Sequence, residues 1–152
     1  MSITKIISGG QTGADRTALE VAKQLGIPTG GTAPKNYWTD EGQDLSLRDE
    51  FGLAECPVWG YPARTEYNVR DSDGTALFGR MDSPGCKLTI KLCKRIGKPY
   101  IENPNAKELV RWSLAHDVRT LNVAGNRKRM NPAIVELVTT VLTEALGNVH
   151  SQ

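Results

Sequence analysis

Most features that would commit a chain to a specialised environment are missing here. Among 152 residues there are 3 cysteines, Cys56, Cys86 and Cys93, with no CxxC spacing. An odd count cannot pair completely within the chain, so a fully bridged disulfide scaffold is excluded and a reduced compartment is expected. Neither of the 2 histidines, His116 and His150, lies in a metal-ligand pattern, so no metal site is expected. Charge of one sign is also lacking. Nineteen Lys+Arg against 17 Asp+Glu leave +2, which gives no electrostatic basis for wrapping nucleic acid or coating a membrane. No apolar run approaches the roughly 18 to 20 residues of a spanning helix. The opening MSITKIISGG enters a strand-like run and lacks the charged start, apolar stretch and cleavage site of a signal peptide. There is no internal repeat and no low-complexity tract. These absences predict a single cytoplasmic domain.

What is present is an ordinary apolar share, 39%, and 15 glycines whose positions carry more meaning than their number. Ile3, Ile6 and Ile7 form a short β-branched run, broken by SGGQTGADR. From Ala14 to Leu25, the residues Ala18, Val21, Ala22 and Leu25 recur at helical spacing, and Gly26 ends the segment. Thr75 to Phe78 reads as a strand, followed by a turn at Ser83-Pro84-Gly85 and a helix carrying Leu88, Leu92, Cys93 and Ile96. Pro99 to Ile101 is a brief strand, and Asn105 is placed to cap a helix with Ala106, Leu109, Val110 and Leu114 inward. Thr120 to Ala124 reads as a buried strand. Pro132 to Leu146 is a helix with Ile134, Leu137, Val138, Val141, Leu142, Ala145 and Leu146 on one stripe, Asn131 as its cap and Gly147 as its stop. Strands alternating with helices predict right-handed crossovers and an α/β, Rossmann-like, doubly wound fold. Its sheet is mostly parallel, with helices on both faces.

Residues 27–72 fit that scheme poorly and read as an aromatic-rich irregular insertion. They hold four prolines and six of the nine aromatics, Tyr37, Trp38, Phe51, Trp59, Tyr61 and Tyr67. A structureless loop of this length is improbable in a small domain, so a short helix (Leu45 to Leu53) and short strands near Pro57 to Gly60 are expected. The rings either pack a satellite core or subunit interface, or form a lid that stacks on a planar ligand.

Four clusters carry the candidate chemistry. Gly9, Gly10, Gln11, Thr12 and Gly13 follow a strand and open a helix, where tight backbone and exposed N–H groups favour an oxyanion. The pattern is neither GxGxxG nor GxxxxGK[ST], and a glycine turn without a ligand is the alternative. Asp15 can cap the helix or bind a hydroxyl, and Arg16 can pair with the anion. Asp71, Ser72, Asp73, Gly74 and Thr75 can hold a cation or ribose hydroxyls, or simply form an Asx turn. Gly85, Cys86 and Thr89 open a second helix, Cys86 being either a reactive thiol or a packed one. Gly125, Asn126 and Arg127 end the last strand, as a ligand loop or a solvated face. All but the Asp cluster fall where strands give way to helices, the edge at which open parallel sheets bind ligands.

ISGGQTGADR (7–16), GIPTGGTAPK (26–35), RTEYNVRDSDGT (64–75), PGCKLT with the later GKP, and LNVAGNR (121–127) together resemble the molybdenum cofactor carrier protein family. That family lies in a Rossmann-like superfamily with the lysine-decarboxylase-like cytokinin-activating phosphoribohydrolases. The resemblance spans nearly the whole chain. It implies a doubly wound fold, a homo-oligomer (dimer or tetramer), and a pocket for a small anionic, phosphate-bearing pterin or nucleotide. The matching site residues are the glycine loop, Lys35, Asp71 to Thr75 and Gly125 to Arg127. Two departures stand out. The hydrolase motif PGGxGTxxE would place its glutamate at position 92, which is Leu92, so no catalytic residue is assigned. Asn126 stands where proline is expected in many relatives, which is expected either to loosen or to reshape the fourth anion contact.

The leading expectation is a non-catalytic carrier or storage protein for the molybdenum cofactor (molybdopterin), its anion held by backbone amides with Lys35, Arg16 and Arg127. The alternatives are a nucleotide phosphoribohydrolase using Asp71 or Asp73, and a sensor that sequesters a nucleotide-derived signal.

Overall fold

The β-branched run at the start of the chain forms β1 (Lys5–Ile7) and leads through the glycine turn into α1 (Ala14–Gln24) in a computed structural model that describes residues 2–150. Short elements follow: β2 (Thr29–Gly30), β3 (Thr32–Ala33), a 3-10 turn at Lys35–Tyr37, β4 (Trp38–Thr39), β5 (Gly42–Gln43), α2 (Ser46–Asp49) and β6 (Ala54–Glu55). The longer elements are α3 (Tyr61–Arg70), β7 (Gly74–Phe78), α4 (Pro84–Ile96), β8 (Tyr100–Glu102), α5 (Ala106–Ala115), β9 (Thr120–Gly125) and α6 (Ile134–His150).

Five strands make one parallel sheet in the order β2-β1-β9-β7-β8. This is the expected α/β Rossmann-like architecture. Alternation along the strands sorts the two faces. Ile6, Ala76, Phe78, Leu121 and Val123 join one core with residues of α1, α5 and α6. Thr75 and Asn122 point the other way, where Asn122 donates to the Thr75 hydroxyl across the β7–β9 pair at 3.1 Å. On that side α3 and α4 meet through a much smaller apolar cluster of Val69, Leu92 and Cys93. A third cluster, with Leu19, Tyr37, Leu47, Phe51 and Leu53, sits under the segment of short elements.

The expected helices and strands outside residues 27–72 all form, with shifts at their ends and faces. Ser83 accepts from Cys86 N–H to cap α4, and Asn105 forms a capping box with Glu108 at the start of α5. Leu114 is exposed rather than inward, and so is Leu137 on α6. Asn131 gives its side-chain amide to Asn126 Oδ1, and α6 opens later, at Ile134, through a turn at Pro132-Ala133.

Within 27–72 the short helix is only Ser46–Asp49, and the strand lies at Ala54–Glu55 instead of Pro57 to Gly60. Helix α3 lies wholly outside the expected elements. Its inward positions are Arg64, Asn68 and Val69, so its buried face is mostly polar and shows no apolar period. Asn68 replaces a strand partner: its Oδ1 accepts from Thr32 N–H at 2.8 Å and its amide donates to Thr32 C=O at 3.0 Å.

Leu142 is fully buried between α6 and the sheet core. Leu142→Ala should lower unfolding free energy by about 2–5 kcal/mol in urea titration, with an unchanged dependence on denaturant.

Candidate functional site

Strand order reverses at the centre of the sheet: from β1 the chain moves outward to β2, and from β7 it moves outward to β8. The carboxyl ends of β1, β9 and β7 therefore converge where such sheets open a crevice. A cavity of about 270 Å³ lies there, bounded by the glycine loop, the start of α4, the end of β9 and the inward face of α3.

Asn126 ties these loops together. Its Oδ1 accepts from Arg80 N–H at 2.7 Å, and its amide reaches Arg80 C=O and Ser83 Oγ, both at 3.3 Å. Its backbone N–H donates to Phe78 C=O at the end of β7, and its C=O accepts from Ala14 N–H at the start of α1. Gly13 has φ +100, and a Cβ there would meet Asn126 C=O at 2.4 Å. Only glycine combines that conformation with that approach. Asn126 thus reshapes the last loop rather than loosening it, supplying a side-chain network and a backbone donor that proline would lack.

Arg64 enters the crevice from α3 and is only 7% exposed. Its Nη1 lies 3.5 Å from Asp15 Oδ2, in space that a side chain at Gly9 would occupy, since a Cβ there would fall 1.8 Å from that nitrogen. Burial pushes the Asp15 carboxyl above the ordinary 3.8, against the pull of Arg64, the Gln11 backbone amide and Arg127. Arg127, from the β9 loop, also lines the crevice and bonds Asp40 Oδ1 at 3.0 Å.

The glycine loop spends much of its hydrogen-bonding capacity on itself. Gly10 N–H donates to Ser8 Oγ, Thr12 N–H to Gln11 Oε1, and Ala14 N–H to Asn126 C=O. Gly9, Gln11 and Asp15 line the cavity, while Gly10 packs on Leu47 and Thr12 C=O accepts from Lys128 N–H. Gly85, Thr89, Gly125, Asn126 and Arg127 line it too. Cys86 is packed at its edge, where burial pushes the thiol up and away from reactivity.

Two expected contributions fall elsewhere. Arg16 pairs with Glu20 and Asp44 and lies over the Phe51 ring, away from the cavity. Asp71, Ser72, Asp73 and Gly74 sit at the amino end of β7, the opposite sheet edge, because the five-residue strand Gly74–Phe78 reaches the crevice only at its far end, Phe78. There Asp73 Oδ2 accepts from the Arg119 and Thr120 N–H groups, Lys98 bonds the Ser72 carbonyl, and Gly74 packs on Trp112. Thr75 is buried beneath Asn122.

A second, more open depression of about 380 Å³ adjoins the first and shares Gln11, Arg64 and Arg127 with it. Its other walls include Trp38, Thr39, Asp40 and Trp59. Lys35 reaches its edge, with Nζ 5.7 Å from the Trp59 ring centroid.

The sequence profile of the circularly permutated YpsA SLOG family matches residues 6–146. The chain belongs to that family. It is also similar to a crystal structure from Syntrophus aciditrophicus SB, named "Putative molybdenum carrier protein". The two share 35% identity over 95% of this chain and 96% of the other, with a TM-score of 0.88. (E)-4-Hydroxy-3-methyl-but-2-enyl diphosphate reductase aligns over 93% of this chain and 59% of its own at 12% identity and a TM-score of 0.39, too distant to carry an argument. No curated protein matches the sequence.

In this YpsA SLOG chain, sequence reasoning did not single out Arg64, Asn68 or Asn122 as site residues, although all three line the crevice. Arg64 and Asn68 stand four apart in RTEYNVR, which places them on one helical face. Their polarity hid that face, because a buried stripe is ordinarily sought among apolar residues. Among the described residues, no helix is long and apolar enough to cross a membrane, and no three His, Cys, Asp or Glu side chains gather in a way that could hold a metal ion.

Asn126→Ala should cost about 2 kcal/mol in chemical denaturation, from hydrogen bonds lost at the convergence of the loops. Asp15 supplies a pH signature. Its folded pKa is raised, so the native state holds that proton more tightly than the unfolded chain. Its contribution to stability is greatest below about pH 4 and is lost as pH rises through the folded value. The stability of the protein relative to Asp15→Asn, read from urea midpoints, should therefore fall as pH is raised from 4, and a flat difference would contradict the burial.

Proposed function

We propose that this protein is a carrier that holds a small phosphate-bearing ligand in the crevice, with the molybdenum cofactor as its cargo. One observation carries the reading. Two guanidinium groups, Arg64 and Arg127, line a cavity at the carboxyl ends of a parallel sheet, beside backbone kept close by Gly9 and Gly125. Guanidinium forks suit phosphate and other oxyanions, and here Arg64 is buried while Arg127 stays a third exposed. Asp15, the carboxyl beside them, is already paired with Arg64 at 3.5 Å, and burial raises its pKa. The molybdenum carrier named among its relatives supports the choice of cargo.

Binding rather than hydrolysis is favoured by where the carboxylates lie. Leu92 occupies the position of the hydrolase glutamate and packs with Val69 and Cys93. Asp71 and Asp73, the substitutes considered for it, lie at the far edge of the sheet. Asp15, inside the cavity, is paired with Arg64.

After incubation with molybdenum cofactor and gel filtration, molybdenum should co-elute with the protein and fall several-fold in Arg127→Ala. Elution of all molybdenum at the free-ligand volume would remove the carrier function.

A further inference from the structure

The crevice continues past Arg64 and Arg127 into the depression walled by Trp38 and Trp59. Both indoles are largely in solvent, at 56% and 61% exposure, although tryptophan is on average a highly buried residue. Other aromatics of the same segment behave differently: Tyr37 and Phe51 are buried with Leu19, Leu47 and Leu53. The segment thus divides its rings between a small core and an open wall beside the arginines.

That wall is held in register with the anion site. Trp38 belongs to the β4–β5 hairpin, and two residues on Asp40 donates its N–H to Gln11 Oε1 at 2.9 Å and accepts from Arg127 Nη1 at 3.0 Å. Trp59 lies just before α3, the helix that brings Arg64 inward, and Lys35 sits over its ring. The first cavity, at about 270 Å³, falls just below the roughly 300–1,000 Å³ of small-molecule sites, so a ligand larger than a sugar phosphate must extend beyond it.

We propose that this second depression is a ring subsite: it takes the planar fused heterocycle of a ligand whose phosphate lies between Arg64 and Arg127, with Trp38 and Trp59 as stacking surfaces and Lys35 at the rim. The inference rests on the phosphate reading above and adds that the ring supplies selectivity. Stacking on an exposed indole is tolerant of ring identity, so purine and pterin phosphates share this chemistry, whereas a bare oxyanion does not.

Titration with guanosine 5′-monophosphate, ribose 5-phosphate and inorganic phosphate tests it, read by calorimetry and by indole fluorescence. The nucleotide should bind at least about tenfold more tightly than ribose 5-phosphate and quench fluorescence, as expected for base–aromatic stacking. Trp38→Ala with Trp59→Ala should abolish both the quenching and the tenfold advantage, leaving ribose 5-phosphate affinity unchanged, which also reports an intact anion site. Trp59→Phe should keep most of the advantage. Equal binding of the nucleotide and ribose 5-phosphate, or an undiminished advantage in the double variant, overturns the ring subsite and leaves the phosphate reading standing. Absence of binding by all three probes overturns both.

Discussion

The crevice exists because Asn126 holds three strand ends together. With one side chain and its own peptide groups it bonds the start of α1, the end of β7 and the turn that opens α4. Each loop alone is a short connection with polar backbone to satisfy, and each would otherwise face water. Pinned to one residue, they present their lining residues to a common space. The close approach requires missing side chains, at Gly13 against the Asn126 carbonyl and at Gly79 against its side-chain amide. Glycine here serves contact between loops as much as contact with a ligand.

Arg64 depends on the same economy of space. It occupies volume left by Gly9 and is paired with Asp15, whose carboxyl pKa burial raises. A buried arginine is costly to desolvate, and the pair answers that cost only within a polar wall such as Asn68, Thr89 and Asn122 provide. The face of the sheet under α3 and α4 is accordingly poor in apolar packing, while the opposite face, under α1, α5 and α6, holds most of the core. One face stabilises the domain and the other is shaped as a site.

Apolar periodicity made β1, α1, β7, α4, β8, α5, β9 and α6 legible in the sequence, because burial of one stripe or one strand repeats at a fixed spacing. The glycine turns at 9–13 and 125 were legible for a related reason, since backbone turns and close approaches leave few residue types allowed. Helix α3 was not, because Arg64 and Asn68 take the inward positions that apolar residues would normally hold. The aromatics of 27–72 were ambiguous for want of a period. Tyr37 and Phe51 went to a small core, and Trp38 and Trp59 to the crevice wall.

The parallel sheet, its helices other than α3 and the sheet edge that bears the crevice followed from residue order alone, because they depend on patterns repeated along neighbouring stretches of chain. Which polar groups meet there depended on folding. Arg64 and Asp15 are 49 positions apart, and Asn126 and Arg80 are 46 apart. Asp73 and Arg16 show the converse: residue types suited to a site, drawn instead to the Thr120 amide and the Asp44 carboxylate. A polar side chain can satisfy itself with many partners, and only the packed chain decides which one lies within reach.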